Sequence, residues 1–232
     1  MTKKKQQENF VLSLGGSLIA PKEGIDPAFV RAFRDLVLKR ARRGSKFVVV
    51  CGGGAVCRAY QSAAKAAAPG LSRDELDRLG IQATVLNARL MLTVFGRAAY
   101  GVVTDPRVKL PARAKVIIGA GWEPGCSTDY DALLLAKRIG AGTVINFSNI
   151  AYVYDRDPRK FPDAKALRSM TWKQFRKLFG SRWSPGLNSP FDPIAARAAE
   201  RAGIRVIIAD GRDLANIGRI LDGKPFVGTV IS

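Results

Sequence analysis

Histidine is missing from all 232 residues, which removes the side chain most often used as a general base or metal ligand near neutral pH. Any chemistry here must run without one. Cysteine is scarce: Cys51, Cys57 and Cys126 have no paired spacing, which argues against a disulfide framework and for a reducing, cytoplasmic setting. No run of 18 or more apolar residues exists, so no transmembrane span is expected. The apolar stretch Phe10–Leu14 after the basic start is too short for a signal peptide. Acidic residues are also few, 19 against 38 lysines and arginines, for a net charge of +19. That balance favours polyanions such as nucleotides, RNA or an acidic surface. The charge is not gathered into one arm. It recurs at Arg31, Arg34, Lys39, Arg40, Arg42 and Arg43 and again through Arg156–Arg182, where solvated helix faces account for it as well as nucleic-acid binding does.

What is present is an ordinary globular composition, 47% hydrophobic and 25% charged, in a chain long enough for one large α/β domain or two small lobes. The central stretch is Phe47–Tyr60, F-V-V-V-C-G-G-G-A-V-C-R-A-Y. Four apolar residues are too few for a helix and suit a strand buried on both faces. Gly52, Gly53 and Gly54 then lead into a helix. Bare backbone at a helix N-terminus makes an anion site, because N–H groups point outward and no Cβ keeps a phosphate away. Arg58, one turn in, adds a positive charge or is simply a solvated residue.

Along the chain, strands are expected at 10–14, 47–50, 102–104, 114–118, 142–147, 204–209 and 227–231. Helices are expected from Asp26-Pro27 to about Arg43, from Ser72 through Val94, over 130–139, after Thr171, and over 193–202 and 213–221. Residues 1–9 read as a disordered basic tail, and 155–189 as a polar stretch with one short helix and a Pro185-Gly186 turn. Strands alternating with helices imply a mainly parallel sheet covered on both faces, a three-layer α/β/α sandwich. Three glycine loops, at 15–17, 52–54 and 119–125, each leave a strand end, and in an open α/β sheet such ends share one crevice. No P-loop sequence is present.

Four segments carry a family resemblance: L-S-L-G-G-S-L at Leu12–Leu18, Val48–Tyr60 with G-G-G-x-x-x-R, Gly119–Asp131 with G-x-x-x-x-P-G-x-x-T-D, and Asn149–Pro158. In that order they resemble the amino acid kinase superfamily, and within it the archaeal type of uridylate kinases, over roughly residues 10–231. The resemblance implies an amino acid kinase-like fold, ATP and UMP as partners, Mg²⁺ with the ATP, and a homo-oligomer, a hexamer. It implies one domain over 10–232, with an acceptor-binding lobe at about 10–138 and an ATP-binding lobe at about 139–232.

It also assigns residues. Gly16, Ser17, Gly54, Arg58, Ser148, Tyr154 and Asp157 match ATP-side positions. Gly53, Asp77 and the loop Trp122, Glu123, Pro124, Gly125, Cys126, Ser127 and Thr128 match UMP-side positions. Arg58, Asp129 and Asp192 match positions near the phosphates. Plainer roles compete: Asp77 as a surface charge, Asp129 and Asp192 as helix caps, Tyr154 as packing. Two departures stand out. Many superfamily members carry lysine where this chain has Ser13, and the family's N-V-D-G-V-Y is Asn149-Ile-Ala-Tyr-Val-Tyr154 here. A storage-type relative and a basic nucleic-acid-binding protein are the alternative readings.

Overall fold

The computed structural model describes residues 8–158, 160–180 and 189–232. Most of the expected tail and the Pro185-Gly186 turn lie outside the described residues. Asn9 is a correction to that tail, since it opens the first strand.

The apolar runs become the inner strands of one eight-stranded sheet. These are β1 (Asn9–Leu14), β2 (Lys46–Cys51), β4 (Val116–Gly119), β5 (Thr143–Ser148) and β9 (Arg205–Asp210). β3 (Ala99–Val103), β8 (Ser169–Met170) and β10 (Thr229–Ile231) complete it, in the order β3-β4-β2-β1-β5-β9-β10-β8. Every neighbouring pair is parallel except β9 and β10, which run antiparallel. A separate hairpin pairs β6 (Val153–Tyr154) with β7 (Ala166–Leu167). Such two-residue strands carry no readable periodicity, which leaves β6, β7 and β8 illegible in the sequence.

Alternation along the strands builds two cores. Val11, Val48, Val50, Ile117, Val144 and Val206 point to one face, against α5 (Thr128–Ile139), α6 (Trp172–Phe179) and α7 (Pro193–Ala202). Leu12, Phe47, Val49, Ile118, Ile145 and Phe147 point to the other, against α2 (Pro27–Ala41), α4 (Arg73–Phe95) and α8 (Leu214–Leu221). The expected three layers follow. Both faces of β2 are sealed and all six residues are buried, as its unbroken apolar run requires.

Local signals fix the helix starts. Asp26 accepts from the Phe29 amide ahead of Pro27, and Ser72 with Glu75 and Thr171 with Gln174 form capping boxes. α2 buries Val30, Phe33 and Val37, while Phe29 is half-buried and stacks on Phe33. α4 is long and apolar enough by composition to cross a membrane, yet it packs on β2, β3, β4 and on α3 (Gly54–Ala67). It is a core helix.

The chain winds outward from β1 to β2 on one side and later returns through α5 to β5 on the other. The carboxyl ends of β1, β2 and β5 therefore flank the point where strand order reverses. That is where an open α/β sheet leaves a crevice.

Candidate active site

Two of the glycine loops interlock. A Cβ on Gly16 would stand 2.2 Å from the Gly54 amide nitrogen and 2.4 Å from the Gly52 carbonyl oxygen. A Cβ on Gly54, whose φ is +64°, would stand 2.4 Å from the Gly16 carbonyl carbon. Backbone this close tolerates no side chain. The Gly52 amide donates to the Leu14 carbonyl at 2.9 Å, and the Gly15 amide to the Phe147 carbonyl at 2.9 Å. The first loop thus bridges the ends of β2 and β5. It is more helical than expected, since Gly16 and Ser17 open a single turn, α1 (Gly16–Ile19).

The third loop joins the same crevice through α4. The Gly125 amide donates to Asp77 Oδ2 at 3.0 Å, and the Gly121 amide to Thr84 Oγ1 at 2.8 Å. Asn87 Nδ2 donates to the Gly52 carbonyl at 2.7 Å. One helix therefore pins both the second and third loops. Of the three α4 side chains, Asp77 alone is among the residues expected from sequence. Thr84 and Asn87 are buried polar groups on an otherwise apolar helix. The polar stripe Asp77, Gly80, Thr84, Asn87, recurring at three- and four-residue steps, was the available signal. Asp77 is thus a loop anchor rather than a free surface charge.

Beneath the crevice lies an acidic network. Asp129, in the first turn of α5, accepts at Oδ1 from Ser13 Oγ and Asn146 Nδ2, both at 3.2 Å, and at Oδ2 from the Asp192 amide at 3.1 Å. Asp192 caps α7 through Oδ1 to the Ile194 amide at 2.7 Å, and its Oδ2 takes a short hydrogen bond from Ser127 Oγ. Ser127 in turn accepts from the Tyr130 amide and caps α5, leaving Thr128 as that helix's first residue. Both aspartates are caps and contacts at once. Ser13 fills the place of the usual lysine by donating to Asp129.

Asp131 was not anticipated. It is 1% exposed, its Oδ2 accepts from the Trp122 amide at 3.2 Å, and its Oδ1 has no partner. Burial lifts the Asp131 carboxyl to about 7, with the Asp129 and Glu123 charges adding to it. Asp129 keeps some surface open, but desolvation raises it also to about 7, opposed by the Asp192 amide and reinforced by the Asp192 charge. The Cys126 thiol is pushed up to about 11, first by burial and then by Asp131, Glu123 and Asp192, so it does not act as a thiolate nucleophile at neutral pH.

A stability prediction follows from the two raised carboxyls. Each takes up a proton on folding, because its folded pKa stands above the ordinary value near 3.8. The unfolded chain then binds fewer protons between about pH 4 and 7, so stability falls as pH rises through that window. Thermal midpoints should be higher at pH 5.5 than at pH 8, and Asp131→Asn should flatten that dependence. A midpoint that rises from pH 5.5 to 8 would contradict the assignment.

On the far side of the first loop, a cleft of about 650 Å³ opens between Ser148–Pro158 and Leu178, Phe179, Ser189 and Pro190. Ser148, Tyr154 and Asp157 all line it. Ser148 Oγ is buried without a hydrogen-bond partner, and an orphaned hydroxyl of this kind costs about 1–3 kcal/mol unless a ligand satisfies it. The Gly211 amide holds the Ser148 carbonyl at 2.8 Å. Ala151 and Tyr152, where the family motif is lost, also line the cleft. Arg58 is exposed on the second turn of α3, close enough to Cys57 for its charge to lower that thiol's pKa against burial. Trp122 carries the Arg107 guanidinium 4.7 Å above its ring, while Glu123 is exposed and Pro124 half-buried. The expected site residues are thus gathered at one sheet edge, with Arg58, Glu123 and Gly125 exposed to solvent.

Known proteins share this fold and much of this sequence. The amino acid kinase family profile matches residues 9–210. A uridylate kinase of Methanospirillum hungatei is 35% identical over 228 residues, 96% of this chain and 94% of the relative. That of Methanothermobacter thermautotrophicus is 35% identical over 95% of this chain and 97% of the relative. The crystal structure of uridylate kinase from Archaeoglobus fulgidus superposes with a TM-score of 0.82 at 32% identity, covering 97% of this chain and all of that one. UMP kinase from Bacillus anthracis gives 0.82 at 19% identity, which speaks to the fold. With a profile match over most of its length and full-length relatives above 30% identity, this chain belongs to the amino acid kinase family.

Proposed function

We propose that this chain is a uridylate kinase, moving the γ-phosphoryl group of ATP to UMP to give UDP. One observation carries the reading: the interlocked turns at Gly16 and Gly54 stand between a loop tied down by Asp77 and the cleft that ends at Ser148. Two phosphorylated ligands entering from the two sides would meet over bare backbone. In this reading the acceptor lies against Gly53, Asp77 and Trp122–Thr128, in a lobe of about 10–138. ATP takes Gly16, Ser17, Gly54 and the cleft with Ser148, Tyr154 and Asp157, in a lobe of about 139–232.

The chemistry suits a chain without histidine. A phosphate oxygen of UMP is largely ionised at pH 7, the second pKa being about 6, so no base must remove a proton. That oxygen forms a bond to the γ-phosphorus while the bond to the β-γ bridging oxygen breaks, and ADP leaves with the electron pair. What remains for the protein is in-line placement and charge neutralisation by amides and Arg58. Mg²⁺ would supply further neutralisation of the ATP phosphates. Among the described residues no cluster of three or more acidic or cysteine side chains is placed to hold a metal ion. The four Asp129 and Asp192 oxygens already accept protein donors, so they do not form a ready cage, and the ion belongs with ATP. Asp129 and Asp192 instead hold the β1 end, α5 and α7 in register beneath the phosphates.

The test is ADP formation by purified protein with Mg²⁺-ATP and UMP, CMP, acetylglutamate or no acceptor. UMP-dependent turnover is expected; equal rates with no acceptor would reject the proposal. Asp77→Ala should raise the KM for UMP about 10-fold or more with a smaller change for ATP, by freeing the loop amide at Gly125. Equal changes in both KM values would remove Asp77 from the acceptor side.

A homo-oligomer, six chains by family resemblance, is part of the same proposal, as is a cytoplasmic setting. α3 buries no residue within the chain, and Tyr60 on it and Leu86 on α4 are each 60% exposed, a surface suited to a second copy. Light scattering should give a mass near six times 25.1 kDa.

A further inference from the structure

The positive charge is sorted by the fold. The edge where the strands end carries Asp77, Asp129, Asp131 and Asp192. The opposite edge, where β4, β2, β1, β5 and β9 begin, collects Arg42, Arg43, Lys46, Arg113, Lys115 and Arg205. The connector 105–115, basic and proline-containing, delivers Arg113 and Lys115 to this edge: Lys46 Nζ donates to the Pro111 carbonyl at 3.1 Å, and Lys115 Nζ to the Gly44 carbonyl at 3.2 Å. Because Phe47 pairs with Val116, Lys46 and Lys115 stand side by side. Burial and then the Lys115 charge lower the Lys46 pKa.

Opposite charges do not neutralise this group. Among the described residues none of the six cations forms an ion pair. Of the acidic residues at the same edge, Asp222 is engaged by Arg40 and Glu200 by Arg176, leaving Glu8 ahead of β1. Helix ends explain part of the positive charge: Lys137 and Arg138 occupy the last turn of α5, where cations offset the dipole. That account does not reach Lys46 and Arg205, which open strands, nor Arg113 and Lys115, which lie on a connector.

From β4 to β9 the row crosses four strand spacings of about 4.8 Å, roughly 19 Å. Lys46 is buried beneath this edge, and the exposed heads are those of Arg42, Arg43, Arg113, Lys115 and Arg205. A DNA strand presents a phosphate about every 3.4 Å of helix axis, so their span faces about five or six of them. Cationic heads on a sheet edge contact backbone charge rather than base edges. We propose that this edge, remote from the nucleotide crevice, docks the phosphate backbone of a nucleic acid without sequence preference.

The test is fluorescence anisotropy of a labelled 20-base-pair DNA duplex with the full chain, between about 50 and 200 mM salt. Binding should weaken steeply with salt. The triple variant Arg113→Glu, Lys115→Glu, Arg205→Glu should bind at least about 10-fold more weakly at low salt, with the log–log salt slope shallower by about 2 to 3, near 0.9 per lost contact. The triple Lys22→Glu, Lys65→Glu, Arg89→Glu makes the same change in net charge on other surfaces and should keep most of the affinity. Thermal unfolding checks that both triples fold. Equal weakening by the two triples would mean that net charge alone attracts the duplex, and would overturn the proposal. So would displacement of the duplex by ATP and UMP, absence of binding at the lowest salt, or binding to phosphatidylserine vesicles without binding to DNA. None of these outcomes depends on kinase turnover, so the two proposals fail separately.

Discussion

Gly54→Ala is expected to leave less than about one hundredth of wild-type ADP formation. The added methyl would stand 2.4 Å from both the carbon and the oxygen of the Gly16 carbonyl and 2.8 Å from the Ser17 amide nitrogen. All three are backbone atoms, and the Gly16 carbonyl oxygen is held by the Ala20 amide at 2.8 Å, so the loops must part. Alanine at φ +64° adds about 1–2 kcal/mol of backbone cost. A displacement near 1 Å in groups that align reacting atoms is enough for about a 10²-fold loss. Gly101→Ala is the matched control, since a Cβ there meets nothing within 4 Å. Steady-state rates and unfolding midpoints of both variants decide the matter. A Gly54→Ala enzyme with more than half of normal turnover would mean that the two turns do not cradle the transferred group.

Arg58→Ala should depress kcat by about 10²-fold, the size of effect seen when a donor to developing transition-state charge is removed. The side chain is exposed and is held by no hydrogen bond or ion pair among the described residues, so its loss should leave the unfolding midpoint almost unchanged. A drop in kcat with unaltered stability would therefore report chemistry rather than folding. Arg58→Lys should recover part of the loss, because the charge remains while the planar fork does not. Near-normal turnover in the alanine variant would take Arg58 out of the mechanism.

The elements legible in the sequence are those whose signals are local. Val48–Val50, too short for a helix and apolar throughout, become a strand sealed on both faces. Ser72 with Glu75, and Asp26 before Pro27, announce their helices through hydrogen bonds spanning three residues. The glycine loops were legible as loops, but their interlocking depends on parallel register between β1 and β2, which no single segment encodes. Asp131 escaped notice because a carboxylate beside Tyr130 on an amphipathic helix reads as solvated. Only tertiary packing turns it inward toward the Trp122 amide. Val30 is sealed while Phe29 stays half-buried for the same reason: the period gives the face, and the neighbouring layer decides which edge of that face is covered. Chain direction sorts the cations, and strand order was beyond any local pattern.

The rims of the sheet limit how copies of this chain can join. One rim is β8, two residues long, and the other is β3, whose pairing with β4 shifts register between Ala99 and Val102. A strand from another molecule finds too short a ladder at the first and a broken one at the second. Growth by strand-to-strand annealing, the usual beginning of fibrous precipitates, is thereby blunted at both ends of this sheet.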